Sequence, residues 1–273
     1  MSKPERHCLP VVLSMALIFA LFPTFSHATH SWGGYHWART SSSFTLKLGD
    51  NVSPAWDFYL ATTASDWSAS GLLDTSIVAG GAGKPRVCKA TSGRVEVCSD
   101  RYGNTGWLGV AQIWISGVHI TQGAVKLNDT YFNTAKYNTP AWRNLVACQE
   151  VGHTLGLDHQ DENFTNPNLG TCMDYTSDPT AINPDNNQDN EFPNAHDYEE
   201  LGIIYSHTDS TTTVKQSVNN KPSQANDGPV RLGTAQWGRL IRSTNHGRTE
   251  LYELNLGRGN KVLTHVIWAE PEE

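Results

Sequence analysis

The residues best able to do chemistry lie within one short run, Cys148 to Gln160. Gln149 and His153 are four apart, so on a helix both side chains leave one face about a turn apart. Glu150 points roughly a quarter turn away, within reach of anything that pair holds. Gly156 can end the helix by taking a positive φ. The chain then turns back, and His159 can approach the same point from a loop. Two imidazoles converging beside a carboxylate suit Zn²⁺, with water in an open position.

The helix carrying this run must be well started and deeply placed. Thr139-Pro140 supplies a cap residue followed by proline at the first helical position. Trp142, Leu145, Val146, Gln149 and His153 share one broad face, and Ala147, Cys148, Val151 and Leu155 occupy much of the other. A helix apolar on both sides is a buried central helix.

With these residues stated, Glu150, His153, Gly156 and His159 match position for position the signature H-E-x-x-H-x-x-G-x-x-H, and the chain resembles the metzincin zinc peptidases. The family's Met-turn corresponds to Cys172-Met173-Asp174-Tyr175, with Met173 packed beneath the metal as an apolar floor. Tyr175 fits the Met-x-Tyr form of the astacin and serralysin branches, where the tyrosine ligates zinc or stabilises the oxyanion. The departure is Gln149, which stands where the family has its first zinc-binding His. A neutral amide oxygen can ligate zinc but donates less than imidazole. The resemblance implies Gln149, His153 and His159 as ligands, with Zn–N distances of about 2.0–2.1 Å. It implies Glu150 as the group that takes a proton from zinc-bound water and passes it to the leaving amine. The expected activity is zinc-dependent hydrolysis of peptide bonds within a peptide or protein substrate. The alternative is a binding or inhibitory protein that keeps the fold without turnover, because Gln149 replaces a His.

The 273 residues suffice for one domain of ordinary size and an appendage. Residues 1–28 read as a secretory signal peptide: Lys3 and Arg6 start it, an apolar run follows to Phe25, and Ser26-His27-Ala28 is a small-x-small cleavage signal. Secretion, extracellular or periplasmic, is the expectation. The chain's net charge is −7, and loss of Lys3, Arg6 and Glu5 with the leader makes it −8. That disfavours nucleic acid and anionic membranes as partners. Four cysteines remain, Cys88, Cys98, Cys148 and Cys172, an even count that reads as two disulfides. Three pairings are open. Cys88–Cys98, closing a local hairpin, with Cys148–Cys172, tying the zinc motif to the Met-turn, is the favoured one.

The rest reads as an α+β fold. Residues 44–48, 72–79, 94–98, 107–120 and 124–128 carry strand patterns. Ser53-Pro54 opens a helix bearing Trp56, Tyr59, Leu60, Thr63 and Trp67 on one stripe. Residues 107–116 are a candidate for the strand edge that pairs with extended substrate, as the resemblance implies; an ordinary core strand is the equal alternative. Asp185, Asn187, Asp189 and Glu191 are candidate Ca²⁺ ligands, although a solvated loop is favoured. Asn194 caps a helix over 195–207. The expected organisation is a catalytic domain over 29–207, with a twisted mixed sheet, central helix, Met-turn and C-terminal helix. A linker over 208–235 and a small β-rich extension over 236–273 follow. Three strands are marginal alone, so the extension is expected to pack on the catalytic domain or a partner.

Overall fold

A computed structural model describes residues 30–214, 236–244 and 247–270. The signal-peptide reading and most of the linker reading fall outside those residues. The fold is α+β, with one mixed sheet and few helices. The strands are β1 (His36–Trp37), β2 (Phe44–Asn51), β3 (Leu73–Ala79), β4 (Val95–Asp100), β5 (Trp107–Ser116), β6 (His119–Asn128), β7 (Arg239–Thr244), β8 (Thr249–Gly257) and β9 (Asn260–Trp268). The helices are α1 (Asp57–Ser68), a single turn α2 (Asp129–Phe132), α3 (Pro140–Thr154) and α4 (Ala195–Ile204).

Strand order is β3-β2-β4-β6-β5-β9-β8-β7, with β1 beside β6. The pairs β2–β3, β2–β4, β4–β6 and β1–β6 are parallel, and every pair from β6 through β7 is antiparallel. The parallel half needs crossovers, which α1 helps provide, and its inward residues Leu46, Leu48, Val95, Val97 and Val125 are fully buried. Helices α1 and α3 pack on that half; Trp67 donates its indole N–H to the Cys148 carbonyl at 3.1 Å.

The helix expected at Ser53-Pro54 begins later. Those residues form a tight turn in which Trp56 N–H donates to the Ser53 carbonyl at 2.8 Å, and α1 starts at Asp57. The Trp56 indole, bonded to Asp129 at 2.7 Å, anchors the turn against α2 and sets the helix entry. Residues 209–213 are not free linker: Asp209 N–H donates to the Arg39 carbonyl at 2.7 Å and Thr213 N–H to the Ala38 carbonyl at 3.0 Å.

The largest departure concerns β5. Its outer side is no edge, because β9 pairs with it antiparallel from Trp107 opposite Trp268 to Ser116 opposite Asn260. The C-terminal hairpins extend the same sheet and bury Leu251, Leu263, Val266 and Ile267. Joining a larger sheet supplies the partner that three strands need.

Candidate metal centre

Helix α3 is built as its sequence demands. Thr139 accepts from Trp142 N–H, Pro140 takes the first position, and every residue from Ala141 to Thr154 is buried. The helix ends at Gly156, whose φ is 103°. A Cβ there would lie 2.3 Å from the Tyr35 carbonyl oxygen, so both the backbone angle and the close approach require glycine. The chain reverses, and His159 comes back to His153 with ring centroids 4.5 Å apart at 82°. Beneath α3 a Cβ on Gly152 would fall 2.7 Å from the sulfur of Met173, so Met173 packs directly under the turn that carries His153. The Cys148–Cys172 disulfide, Cα atoms 6.0 Å apart, fastens this loop to α3. Cys88–Cys98, at 5.8 Å, sits across the sheet's β4 side.

Both histidines are oriented by their outer nitrogens. His153 Nδ1 lies 2.9 Å from the Leu157 carbonyl, which can only accept, so Nδ1 carries the proton and Nε2 presents a lone pair. His159 Nδ1 lies 3.3 Å from Glu162 and 3.4 Å from Asp158. Such outer partners fix ring and tautomer at metal sites. The inner atoms, His153 Nε2, His159 Nε2, Gln149 Oε1 and Glu150 Oε1, are all buried with no hydrogen-bond partner. Buried polar atoms are ordinarily satisfied. Unpartnered polar atoms on three neighbouring residues of the motif, and on His159, fit a cation that the side chains themselves cannot replace. Gln149 is held by its amide, which donates to the Cys172 carbonyl at 2.8 Å and leaves the oxygen uncommitted.

Sequence reading missed His265. Strand β9 places it opposite Ala111 of β5 and drives its ring into the cluster, with centroids 4.0 Å from His153 and 4.6 Å from His159. Ligand nitrogens of His153, His159 and His265 all lie within 4.8 Å of one another. The imidazole stands between the two groups expected to do chemistry. Its Nε2 is 2.7 Å from the Tyr175 hydroxyl and its Nδ1 is 3.5 Å from a Glu150 oxygen. Trp32, also missed, stacks on His153 at 4.9 Å and 12°. Gly109 of β5 makes room for Glu150, since a Cβ there would meet Glu150 Oε1 at 2.6 Å.

The electrostatics follow from enclosure. Burial pushes the Glu150 carboxyl well above its usual range. Burial, reinforced by the neighbouring imidazoles, holds His153 and His265 well below theirs. Burial thus disfavours an ion pair between Glu150 and His265, and it favours the unprotonated form in which His153 and His265 can ligate metal. His159 goes the other way: burial lowers it, but hydrogen bonds to Asp158 and Glu162 outweigh that and raise it. Burial also raises the Tyr175 hydroxyl.

Tail and loop are clamped together. Arg242 of β7 meets Asp158 through both nitrogens, at 2.5 and 2.7 Å, and Arg248 lies over the Phe164 ring at 3.6 Å. Asp185, Asp189 and Glu191 do not join any converging group of acidic, His or Cys side chains among the described residues. No helix among the described residues is long and apolar enough to cross a membrane. No protein-family model matches the chain, and no curated protein matches it.

Proposed function

We propose that the protein is a zinc-dependent endopeptidase of the metzincin type, seen in a closed form in which its own C-terminal strand covers the reaction centre. The observation that carries this reading is the position of His265, wedged between Glu150 and Tyr175 beside the lone pairs of His153 and His159. A base, a hydroxyl that can donate and two oriented imidazoles around one point are what hydrolysis of an amide needs. A metal that needed only holding would need neither Glu150 nor Tyr175.

His153 and His159 would hold zinc, with Gln149 Oε1 as a further donor and His265 at the position that substrate or water takes in an open form. Zinc bound there supplies a Lewis acid for the scissile carbonyl and lowers the pKa of water. Glu150 would accept the proton of the attacking water and deliver it to the leaving amine; burial, which raises its proton affinity, suits that shuttle. The Tyr175 hydroxyl would donate to the developing oxyanion. Main-chain groups of β5, which now bond β9, would bond an extended substrate in the same antiparallel sense. The order of parallel strands, the buried helix α3, the Met173 turn and helix α4 support the metzincin reading.

The test uses full-length protein loaded with Zn²⁺ and a quenched casein substrate. His265→Ala should hydrolyse faster than wild type, and adding Glu150→Ala should abolish the gain. If neither wild type nor His265→Ala cleaves although both hold zinc, the chain is a binding or inhibitory protein with a permanently covered metal.

A further inference from the structure

A second group of histidines lies at the rim of the sheet, away from α3. His36 and His119 are register partners in the parallel pair β1–β6. His207 and Asp209 follow α4. These residues come from three distant parts of the chain, yet their polar atoms converge on one carboxylate oxygen. Asp209 Oδ1 is 3.5 Å from His36 Nε2, 3.0 Å from His119 Nε2 and 3.7 Å from His207 Nε2.

We propose that His36, His119, His207 and Asp209 form a second metal site, of the closed structural kind, that binds Zn²⁺ and clips the N-terminal strand, the β5–β6 turn and the segment after α4 together. The ligand atoms of His36, His119 and Asp209 lie within 4.8 Å of one another, and all three nitrogens stand around Asp209 Oδ1 at separations that ligands of one zinc could have. Ligands at about 2.0–2.1 Å from zinc stand about 3.3 Å from each other, and the three separations above bracket that value. Three imidazoles and a carboxylate make a donor set suited to zinc.

Orientation argues the same way. His36 Nδ1 lies 2.8 Å from the Gly34 carbonyl, an acceptor only, so this nitrogen carries the ring's proton. Gly34 has φ 74°, the left-handed conformation that turns its carbonyl toward the ring. His36 Nε2 then directs a lone pair at the Asp209 carboxylate, and it is buried with no hydrogen-bond partner. Lone pair facing anion is unfavourable unless the ring takes a second proton or a cation lies between them. Asp209 is held for the purpose: its Oδ2 accepts from Arg39 N–H at 3.0 Å, leaving Oδ1 for the histidines. The backbone bonds between 209 and 39 fix the carboxylate independently of any metal. His207 is the exposed member, its side chain 55% exposed and its ring edge-on to His36 with centroids 4.8 Å apart. Among the described residues no carboxylate other than Asp209 joins this cluster, so a metal here would fasten rather than react.

The experiment titrates metal-stripped full-length protein with Zn²⁺ against a chromogenic chelator. Wild type should take up two equivalents. His119→Ala/His207→Ala, chosen because both side chains reach the surface, should lose one with its circular dichroism unchanged. His153→Ala/His159→Ala should keep that one. In this last background the melting temperature should still rise with zinc, and the rise should vanish when His119 and His207 are also replaced. Equal uptake by wild type and His119→Ala/His207→Ala, or no zinc-dependent melting shift in the His153→Ala/His159→Ala background, would overturn the proposal. Failure of His153→Ala/His159→Ala to lose any zinc would instead count against the buried cluster.

Discussion

The two histidine clusters share ligand chemistry and differ in everything around it. At the buried cluster, His153 and His265 are fully enclosed, and Glu150 and Tyr175 stand within hydrogen-bonding range of the enclosed ring or near it. At the rim cluster, His207 faces solvent and the one carboxylate is itself a candidate ligand. In both, an outer carbonyl fixes a ring, Leu157 for His153 and Gly34 for His36. On the proposed reading, oriented imidazoles mark a place for metal, whereas an acid and a hydroxyl that are not needed as ligands mark a place for reaction.

The strongest way to break that distinction is to remove the acid. In the proposed open variant His265→Ala, Glu150→Ala should lower peptide hydrolysis by about 10²–10⁴-fold, the usual worth of a general base. Zinc uptake should stay unchanged, because no ligand is lost. Activity equal to that of His265→Ala alone would remove the chemical difference between the two clusters.

The disulfides offer the next largest effect. Cys148 and Cys172 are 24 residues apart, and on the chain-entropy model their bond stabilises by about 3 kcal/mol. Cys148→Ala/Cys172→Ala should lower the melting temperature by about 10 °C and weaken zinc binding at the buried cluster, since the bond joins α3 to the Met173 turn. Cys88→Ala/Cys98→Ala should cost comparable stability while leaving zinc binding at the buried cluster intact. If both pairs weaken zinc alike, the loss is global and the disulfide has no particular tie to the site.

What could be read from the sequence follows the range of each contact. Gln149, Glu150, His153 and His159 fall within one helix and its reversal, so helical period and a glycine suffice to bring them together. The cap at Thr139 is equally local, whereas Met173, far from Gly152 in sequence, is placed beneath the helix at the level of sequence by the family resemblance alone. His265 lies 115 residues beyond Glu150, and it reaches the site only because β9 joins β5 in one register. A shift by one residue would turn it to the other face. An alternating strand pattern shows a face but names no partner, which is why the sequence leaves β5 open between a substrate edge and a core strand. The rim cluster is more scattered still: only His207 and Asp209 are neighbours in sequence, and a spacing of two has no signature of its own.

Gln149 sharpens the comparison from within the motif. Its oxygen is buried and unpartnered while its amide bonds Cys172. With the rim cluster removed by His119→Ala/His207→Ala, the buried cluster can be titrated alone. Gln149→His should then raise zinc affinity, each tenfold gain being about 1.4 kcal/mol, and Gln149→Ala should lower it. Equal affinities for the three proteins would show that residue 149 does not face the metal.

The smallest effect concerns the clamp between tail and loop. Arg242 is bonded through both nitrogens to Asp158, the residue before His159, and also lies 3.3 Å from Glu162. Its side chain is 35% exposed, so solvent screens the pair and about 1 kcal/mol is a fair value for it. If β9 closes the site by an equilibrium, Arg242→Ala should shift that equilibrium toward the open form by roughly fivefold at low salt. Hydrolysis by otherwise wild-type protein should rise by the same factor, and the gain should shrink as salt weakens the wild-type clamp. Arg242→Lys should recover only part of the closure, because a single ammonium cannot match both carboxylate oxygens. The rim cluster has no contact with this clamp among the described residues, so its zinc uptake should be indifferent to all three side chains. A rise in hydrolysis with unchanged rim zinc would tie the tail to the buried cluster alone. No change in hydrolysis at any salt concentration, with His265→Ala active, would mean that Arg242 does not help hold His265 in the site.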